Sequence, residues 1–389
     1  LDEAEKQPLI TCALTFESGA EKRSNVSAAL FDDALTLSAP GFHRELRLTA
    51  LAGVSAQNYR VFVRTEGGEA VLSMMGHLYE DFAGKLIRAY NEVLFNESLM
   101  KEPVHFETTG TYTDPAGGTS NAAIRVCETA IAVLPESHNL VRIPYCMIAA
   151  TDIQPYRFAV TDRLGRVYAL SRMGFSTDAF LHAYQSQLGE LMRQTGEKLS
   201  GIATADDRLA AFLMEGLVQP LSEISAISQA FASALDARIA ASQIAEEYRY
   251  LRGISGDIAV GVKRGLMGEL TGETILILAP VFDRNVFIME SLGDTAAATY
   301  VFRLSESGPP DRAQWRRFLL EFNDSMLSVN FRREPIYLSE EALCEAQYER
   351  YQNALRRVPS LSRLRRLFVG RALHSGFDAW KKKIASYMQ

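Results

Sequence analysis

With 389 residues, 47% of them hydrophobic and 23% charged, the chain has an ordinary globular composition and is long enough for about two to four domains. Its longest strongly apolar stretch, 274–282, is far too short to span a bilayer, and its acidic start, Leu1-Asp2-Glu3-Ala4-Glu5, lacks the basic and apolar regions of a signal peptide. A cytoplasmic protein is expected. The net charge of −6 hides an asymmetry: residues 349–389 carry ten Arg or Lys against Glu349 and Asp378, a net +8, so the rest of the chain sums to −14.

Period-two alternation predicts strands at 10–16, 26–31 and 34–38, the last two joined by an Asp32-Asp33 turn, then at 43–49, 59–64 and, after Glu66-Gly67-Gly68, at 70–74. Beyond Gly76 the period changes to near 3.6, and Phe82, Leu86, Tyr90 and Val93 mark one face of a helix. The same grammar follows again. Strands are predicted at 104–112, 122–127, 129–134, 140–144, 156–161 and 167–171, and Ser176-Thr177-Asp178 offers capping oxygens to a helix with Phe180, Tyr184, Leu188 and Leu191 on one side.

The two passages also match in their residues. Tyr59-Arg60-Val61-Phe62-Val63 is answered by Tyr156-Arg157-Phe158-Ala159-Val160 at an offset of 97, and Leu72-Ser73-Met74-Met75-Gly76 by Leu170-Ser171-Arg172-Met173-Gly174 at 98. Upstream, Ala34-Leu35-Thr36-Leu37 pairs with Ala130-Ile131-Ala132-Val133 at 96. A domain-sized period of this kind reads as an internal duplication, a tandem repeat of one small domain.

Beyond Gly201 the pattern shifts. An Ala-rich region, 206–250, is helical with a break at Pro220; strands follow at 258–263, 274–281, 286–290 and 296–304; and Pro309-Pro310-Asp311 opens a helix bearing Trp315, Leu319 and Phe322. Two further helical stretches, 340–357 and 360–388, are divided by Pro359 and carry the basic residues. The expected domains are 1–98, 99–204, an α+β domain at 205–338 that includes the option of a diverged third copy with a helical insertion, and a basic helical tail at 339–389.

A run of strands closed by one helix, with a Gly-containing final hairpin and a large aromatic, Phe82 or Phe180, on that helix, resembles the pleckstrin-homology and GRAM-like superfold over about 8–98 and 103–198. In that family the aromatic is commonly Trp. The resemblance implies an α+β fold with two tandem antiparallel β-sandwich or barrel domains, each closed by a C-terminal helix. Phosphoinositide-binding members cluster Lys and Arg on the first two strands and their loop. The first copy has Lys22 and Arg23 there, which are its candidate phospholipid contacts; 108–121 in the second copy has no basic residue. Protein docking on sheet and helix is the other use of the fold.

No motif announces catalysis, a metal or a cofactor, and none is expected. The six histidines, His374 among them, are isolated in sequence, and the Gly253 to Gly268 glycines with Lys263 and Arg264 lack the Gly-Lys-Ser/Thr of a phosphate loop. Adjacent Asp32-Asp33 and Asp206-Asp207 have local reasons in a turn and at a helix start. Cys12, Cys127, Cys146 and Cys344 are scattered, which predicts buried reduced thiols.

The leading expectation is a non-enzymatic binding or scaffold protein whose repeats dock a protein partner. One alternative is an enzyme or nucleotide-dependent regulator with its site in 205–338, near Lys263, Arg264, Glu273, Asp283, Arg284 and Asp294. Another is association with an anionic membrane or nucleic acid through 349–389, with Arg363, Arg365, Arg366, Arg371, Trp380, Lys381, Lys382 and Lys383 as contacts.

Overall fold

Alternating apolar residues shape the first sheet. In a computed structural model that describes residues 7–65, 67–97, 102–264, 273–293, 296–305 and 312–389, seven strands pair antiparallel. They are β1 (Ile10–Ser18), β2 (Glu21–Leu30), β3 (Ala34–Ala39), β4 (Phe42–Arg47), β5 (Gly53–Gln57), β6 (Arg60–Thr65) and β7 (Gly68–Ser73), in the order β4-β3-β2-β1-β7-β6-β5. Phe16, Val26, Leu37, Phe42, Val54, Val63 and Leu72, one or more from each strand, share a single core, so the sheet curves round it. Helix α1 (Tyr79–Asn96) joins that core with Phe82, Leu86 and Tyr90, and the buried Tyr90 hydroxyl donates to the Leu51 carbonyl at 3.1 Å.

The second sheet has the same strand order. Its strands are β8 (Val104–Thr113), β9 (Thr119–Cys127), β10 (Ala130–Pro135), β11 (Val141–Pro144), β12 (Ile148–Gln154), β13 (Arg157–Asp162) and β14 (Val167–Ser171), arranged β11-β10-β9-β8-β14-β13-β12. Helix α2 (Thr177–Ser200) follows, with Phe180 and Tyr184 set edge-on against Phe158 at 5.3 and 5.1 Å. The Thr177 hydroxyl donates back to the Gly174 carbonyl at 2.9 Å.

The passage from final strand to helix is built alike both times. Met74 (φ 63°) and Gly76 (φ 58°) precede a short 3-10 turn into α1, and Arg172 (φ 56°) and Gly174 (φ 58°) do so before α2. A Cβ on either glycine would meet nothing within 4 Å, so the cost of a side chain there is conformational. Gly76→Ala and Gly174→Ala are each expected to lower stability by about 1–2 kcal/mol in urea denaturation.

Residues Leu1–Gln185 form one compact unit and Ser186–Gln389 another. Within the first unit, the second sheet covers an edge of the first. Asn91 of α1, 1% exposed, donates from Nδ2 to the carbonyls of Pro135 (2.8 Å) and His138 (3.1 Å) and accepts from the Leu140 amide at 2.7 Å. From the same 136–140 loop, Asn139 Oδ1 accepts from the Val54 amide on edge strand β5 at 3.2 Å. Beside them Arg125 grips Glu92 through two bonds (3.0 and 2.6 Å) and Glu107 through one (2.6 Å), with its guanidinium 4.7 Å over the Phe95 ring. Burial alone would lower the Arg125 pKa; the two carboxylates hold it above its ordinary value.

The second unit is a mixed α+β layer structure of a different kind. After α3 (Asp207–Phe212), capped by Asp206, come β15 (Gln219–Pro220), α4 (Leu221–Ile227), α5 (Gln229–Ala240), α6 (Ala245–Ile254), β16 (Ala259–Arg264), β17 (Glu273–Val281), β18 (Val286–Gly293) and β19 (Ala297–Arg303). Helices α7 (Arg312–Ser328), α8 (Glu334–Tyr337), α9 (Glu340–Leu343), α10 (Glu349–Arg357) and α11 (Pro359–Leu367) lead to strand β20 (Phe368–Leu373) and helix α12 (Phe377–Tyr387). The six strands lie in chain order, β15 to β20, which is not the order of the first two sheets.

Every residue of β17 is buried, because both faces are covered, and its sequence is correspondingly an almost unbroken apolar run. Ile277, Ile288 and Val301 face Phe231 of α5, Leu251 of α6 and Trp380 of α12. On the other face Phe287, stacked on Phe302, meets Trp315, Phe318 and Phe322 of α7. The stretch read as continuous helix from 360 to 388 is therefore interrupted: Phe368–Leu373 completes the sheet, pairing with β19, and lies beyond the 205–338 span expected to hold it.

Among the thiols, Cys12, Cys127 and Cys146 are buried, and burial pushes Cys12 up to about 11 and Cys127 up to about 12. Cys344, by contrast, is exposed, since it follows the single helical turn of α9 rather than a core element. Leu1 to Glu5, Glu66, Gly265, Gly268, Asp294 and the Pro309-Pro310-Asp311 helix opening lie outside the described residues.

Candidate functional site

On the first sheet, outward-facing residues of β1, β2 and β7 meet the β5–β6 turn and the start of α1 in a groove of about 520 Å³. The turn creates its wall. Gln57 pairs with Arg60, leaving a two-residue hairpin loop, Asn58 (φ 51°) and Tyr59 (φ 57°), with both residues left-handed as a type I′ turn requires. That backbone, unusual for a tyrosine, leaves the Tyr59 side chain 75% exposed, with its ring 5.3 Å from Tyr79. Met74, also left-handed, is 81% exposed on the same groove.

The groove is charged at its base. Glu17 and Lys22 stand opposite one another across the β1–β2 hairpin and pair at 2.7 Å. The Lys22 hydrogen bond and charge hold the Glu17 carboxyl below the usual range, with Arg60 adding to the effect. Tyr79 donates its hydroxyl to the Arg60 carbonyl at 3.4 Å, and burial, then the charge of Glu80, raises its pKa, so the phenol stays a neutral donor. The Arg60 guanidinium is exposed and has no ion pair among the described residues.

The second sheet keeps this frame and changes its chemistry. By register, Thr113 and Thr119 stand where Glu17 and Lys22 do, Thr177 replaces Tyr79, and Arg172 replaces Met74. Tyr156 (φ 62°) is again exposed, but the turn is Pro155-Tyr156, with proline fixing the first residue as a type II turn prefers. Arg157 is bound to Asp152 at 2.9 Å; at the position matching Asp152 the first sheet has Ser55, so Arg60 lacks that ion pair.

Of the residues singled out in the sequence, Lys22 lines this groove. Arg23 does not; it pairs with Glu21, which also binds Arg44 at 2.7 Å. Several basic residues of 349–389 are engaged by groups of their own unit. Arg363 pairs with Glu321, and Arg365 donates to the carbonyls of Pro335, Ile336 and Leu338 and to Glu340. Arg366 lines one groove together with Arg365, Tyr337 and Phe368.

Arg371 lies over the rings of Tyr300 (5.5 Å) and Tyr337 (4.8 Å), whereas Trp380, 1% exposed, donates to Thr299 at 2.6 Å. Because Thr299 and Tyr300 are neighbours on β19 their side chains point to opposite faces, and so do the groups attached to them. Trp380 is thus a core residue rather than an interfacial one. Lys381 lies over Tyr250 and Lys383 over Tyr387, while Lys382 is exposed. Among the described residues no helix is long and apolar enough to cross a membrane.

Of the residues proposed for a site in 205–338, Lys263, Arg264 and Glu273 adjoin one another at one end of the β16–β17 ladder, Arg264 opposite Glu273, and Asp283 and Arg284 follow the other end of β17. Lys263 is buried against Glu215 (3.3 Å) and the Phe331 ring, Glu273 is paired with Arg238 (2.9 Å), and Asp283 with Arg284 lies in the β17–β18 turn. What the sequence reading missed is a buried polar centre in the same unit. His374 bridges two carboxylates, with Nε2 2.8 Å from Glu290 and Nδ1 3.1 Å from Glu247, and Glu290 also accepts from Thr299 at 2.6 Å. Burial alone would lower the His374 pKa, but Glu290 and then Glu247 raise it to about 9, while burial raises that of Glu290. Each ring nitrogen faces a carboxylate, and both donate when the imidazole is protonated. The partners are 84 and 127 residues away in sequence, and no local motif signals them.

No family model matches the chain, and no curated protein matches it. Among solved structures, the crystal structure of the C-terminal domain of an unknown protein from Leishmania infantum aligns over 25% of this chain and 96% of its own, at 16% identity and a TM-score of 0.21. A likeness at that TM-score carries no argument about this chain.

Proposed function

We propose that the chain is a non-enzymatic docking protein, built on two tandem pleckstrin-homology-like modules, 1–98 and 99–204, whose partner is another protein. The reading is supported by two sheets of one strand order, each leading through the same left-handed pair of residues into a helix that buries a phenylalanine in its first turn. The observation that carries it is the groove of the first sheet, where Tyr59 and Met74 stand exposed beside the Arg60 guanidinium, which has no ion pair among the described residues. Lipid docking is the less favoured use, since Lys22, Arg23 and Arg44 are each engaged by a glutamate and a phosphoinositide needs several cations together.

Amine-reactive cross-linking of the full chain in a native lysate tests this. Cross-links to a second protein are expected from Lys22 and Lys85 of the first unit. If foreign cross-links come only from Lys381 to Lys383, docking lies outside the tandem modules and the proposal fails.

A further inference from the structure

We infer that the groove on the first sheet takes an acidic peptide segment, one with a carboxylate next to a bulky apolar side chain. This rests on the docking reading and specifies its ligand. Three observations select that chemistry. First, the Arg60 guanidinium is exposed and makes no ion pair among the described residues, with the Glu17 carboxyl feeling its charge but paired to Lys22, and Ser55 standing where the second sheet has the aspartate that binds Arg157. A planar guanidinium matches one carboxylate in a two-bond pair.

Second, the cations around it are already shared. Lys22 pairs with Glu17, and Arg23 and Arg44 both pair with Glu21. One guanidinium without an ion pair among the described residues suits one carboxylate; a polyphosphate headgroup would need several cations. Third, Tyr59 and Met74 are held toward solvent by left-handed backbone at the groove's wall, 75% and 81% exposed. A tyrosine face and a flexible thioether form a platform for a large apolar side chain of variable shape. Ser73, half-buried on β7, adds a hydroxyl for the main chain of the peptide.

The test is selection of a random dodecapeptide library on the full chain, with vesicles of phosphatidylcholine and phosphatidylserine as a second probe. Enriched peptides are expected to place Asp or Glu beside an aromatic or long aliphatic residue and to bind more weakly as salt rises. Their affinity is expected to fall roughly tenfold or more with Arg60→Ala, to fall less with Arg60→Lys, and to stay unchanged with Arg157→Ala. Arg60 is exposed, so unchanged thermal unfolding is expected of its variants.

Peptides that bind equally to the Arg60→Ala protein overturn the groove assignment while leaving the docking reading intact. Enrichment without carboxylates, no enrichment, or Arg60-dependent capture by the vesicles also overturns it. The docking reading itself fails separately, through the absence of cross-links from Lys22 and Lys85.

Discussion

His374→Ala is expected to lower the stability of the second unit by about 3–5 kcal/mol at neutral pH, because it strands two buried carboxylates. Glu290 is fully buried and Glu247 nearly so, and neither gains a new cation when the imidazole is removed. The deficit is expected to shrink on acidification, as Glu290 becomes neutral by taking up a proton instead. Wild-type protein has the matching pH dependence. His374 is raised from an ordinary 6.5 to about 9, so the stability it contributes is complete below about 6.5 and is lost as the pH climbs through 9. The raised Glu290 works in the same direction, since the folded state again binds the proton more tightly than the unfolded chain. Urea unfolding from pH 6 to about 10 is expected to show a wild-type decline through about 9 that the variant lacks, any decline left in the variant being that of Glu290 alone. Equal slopes for the two proteins would refute the bridging of both carboxylates by one imidazolium.

Asn91→Leu is expected to cost about 3 kcal/mol while nearly preserving side-chain volume, since it orphans an amide and two carbonyls at a buried site. The amide of Leu140 is the direct reporter. It donates to Asn91 Oδ1 at 2.7 Å, so its hydrogen exchange is expected to accelerate well beyond that of the β1–β2 ladder. Acceleration spread evenly over the first unit would instead mean that Asn91 supports general stability and has no particular hold on the 136–140 loop.

Strands with one buried face were legible in the sequence because their side chains alternate. The two missed in the first unit explain themselves. β12 is an edge strand in which every residue after Ile148 is exposed, so no apolar alternation marks it, and β5 is a five-residue segment of mixed pattern next to a left-handed turn. The segment 360–388 misled for the opposite reason. Its apolar residues step by three and four, yet Phe368 and Arg371 belong to a strand whose two faces meet different helices, and pairing with β19 overrides the local period.

The candidate groove was half legible. Lys22 was visible as a cation on the first hairpin, but that Arg60 lacks the ion pair of Arg157 depends on a serine across the sheet in place of an aspartate, a cross-strand relation that only register reveals. His374 looked solitary for the same reason, since both its partners come from distant elements.

The reach of Asn139 to the Val54 amide bears on how this chain tolerates change in length. The matching connection in the first sheet is a tight turn at Pro40-Gly41, whereas β10 and β11 are joined by the longer 136–140 segment. By appearance that segment is the most expendable part of the first unit, a surface loop free to shrink to its counterpart's size. Trimming it would instead uncover a hydrogen-bonding margin of β5 and invite another chain to adhere there, so insertions and deletions are least forgiven where comparison of the two halves would judge them harmless.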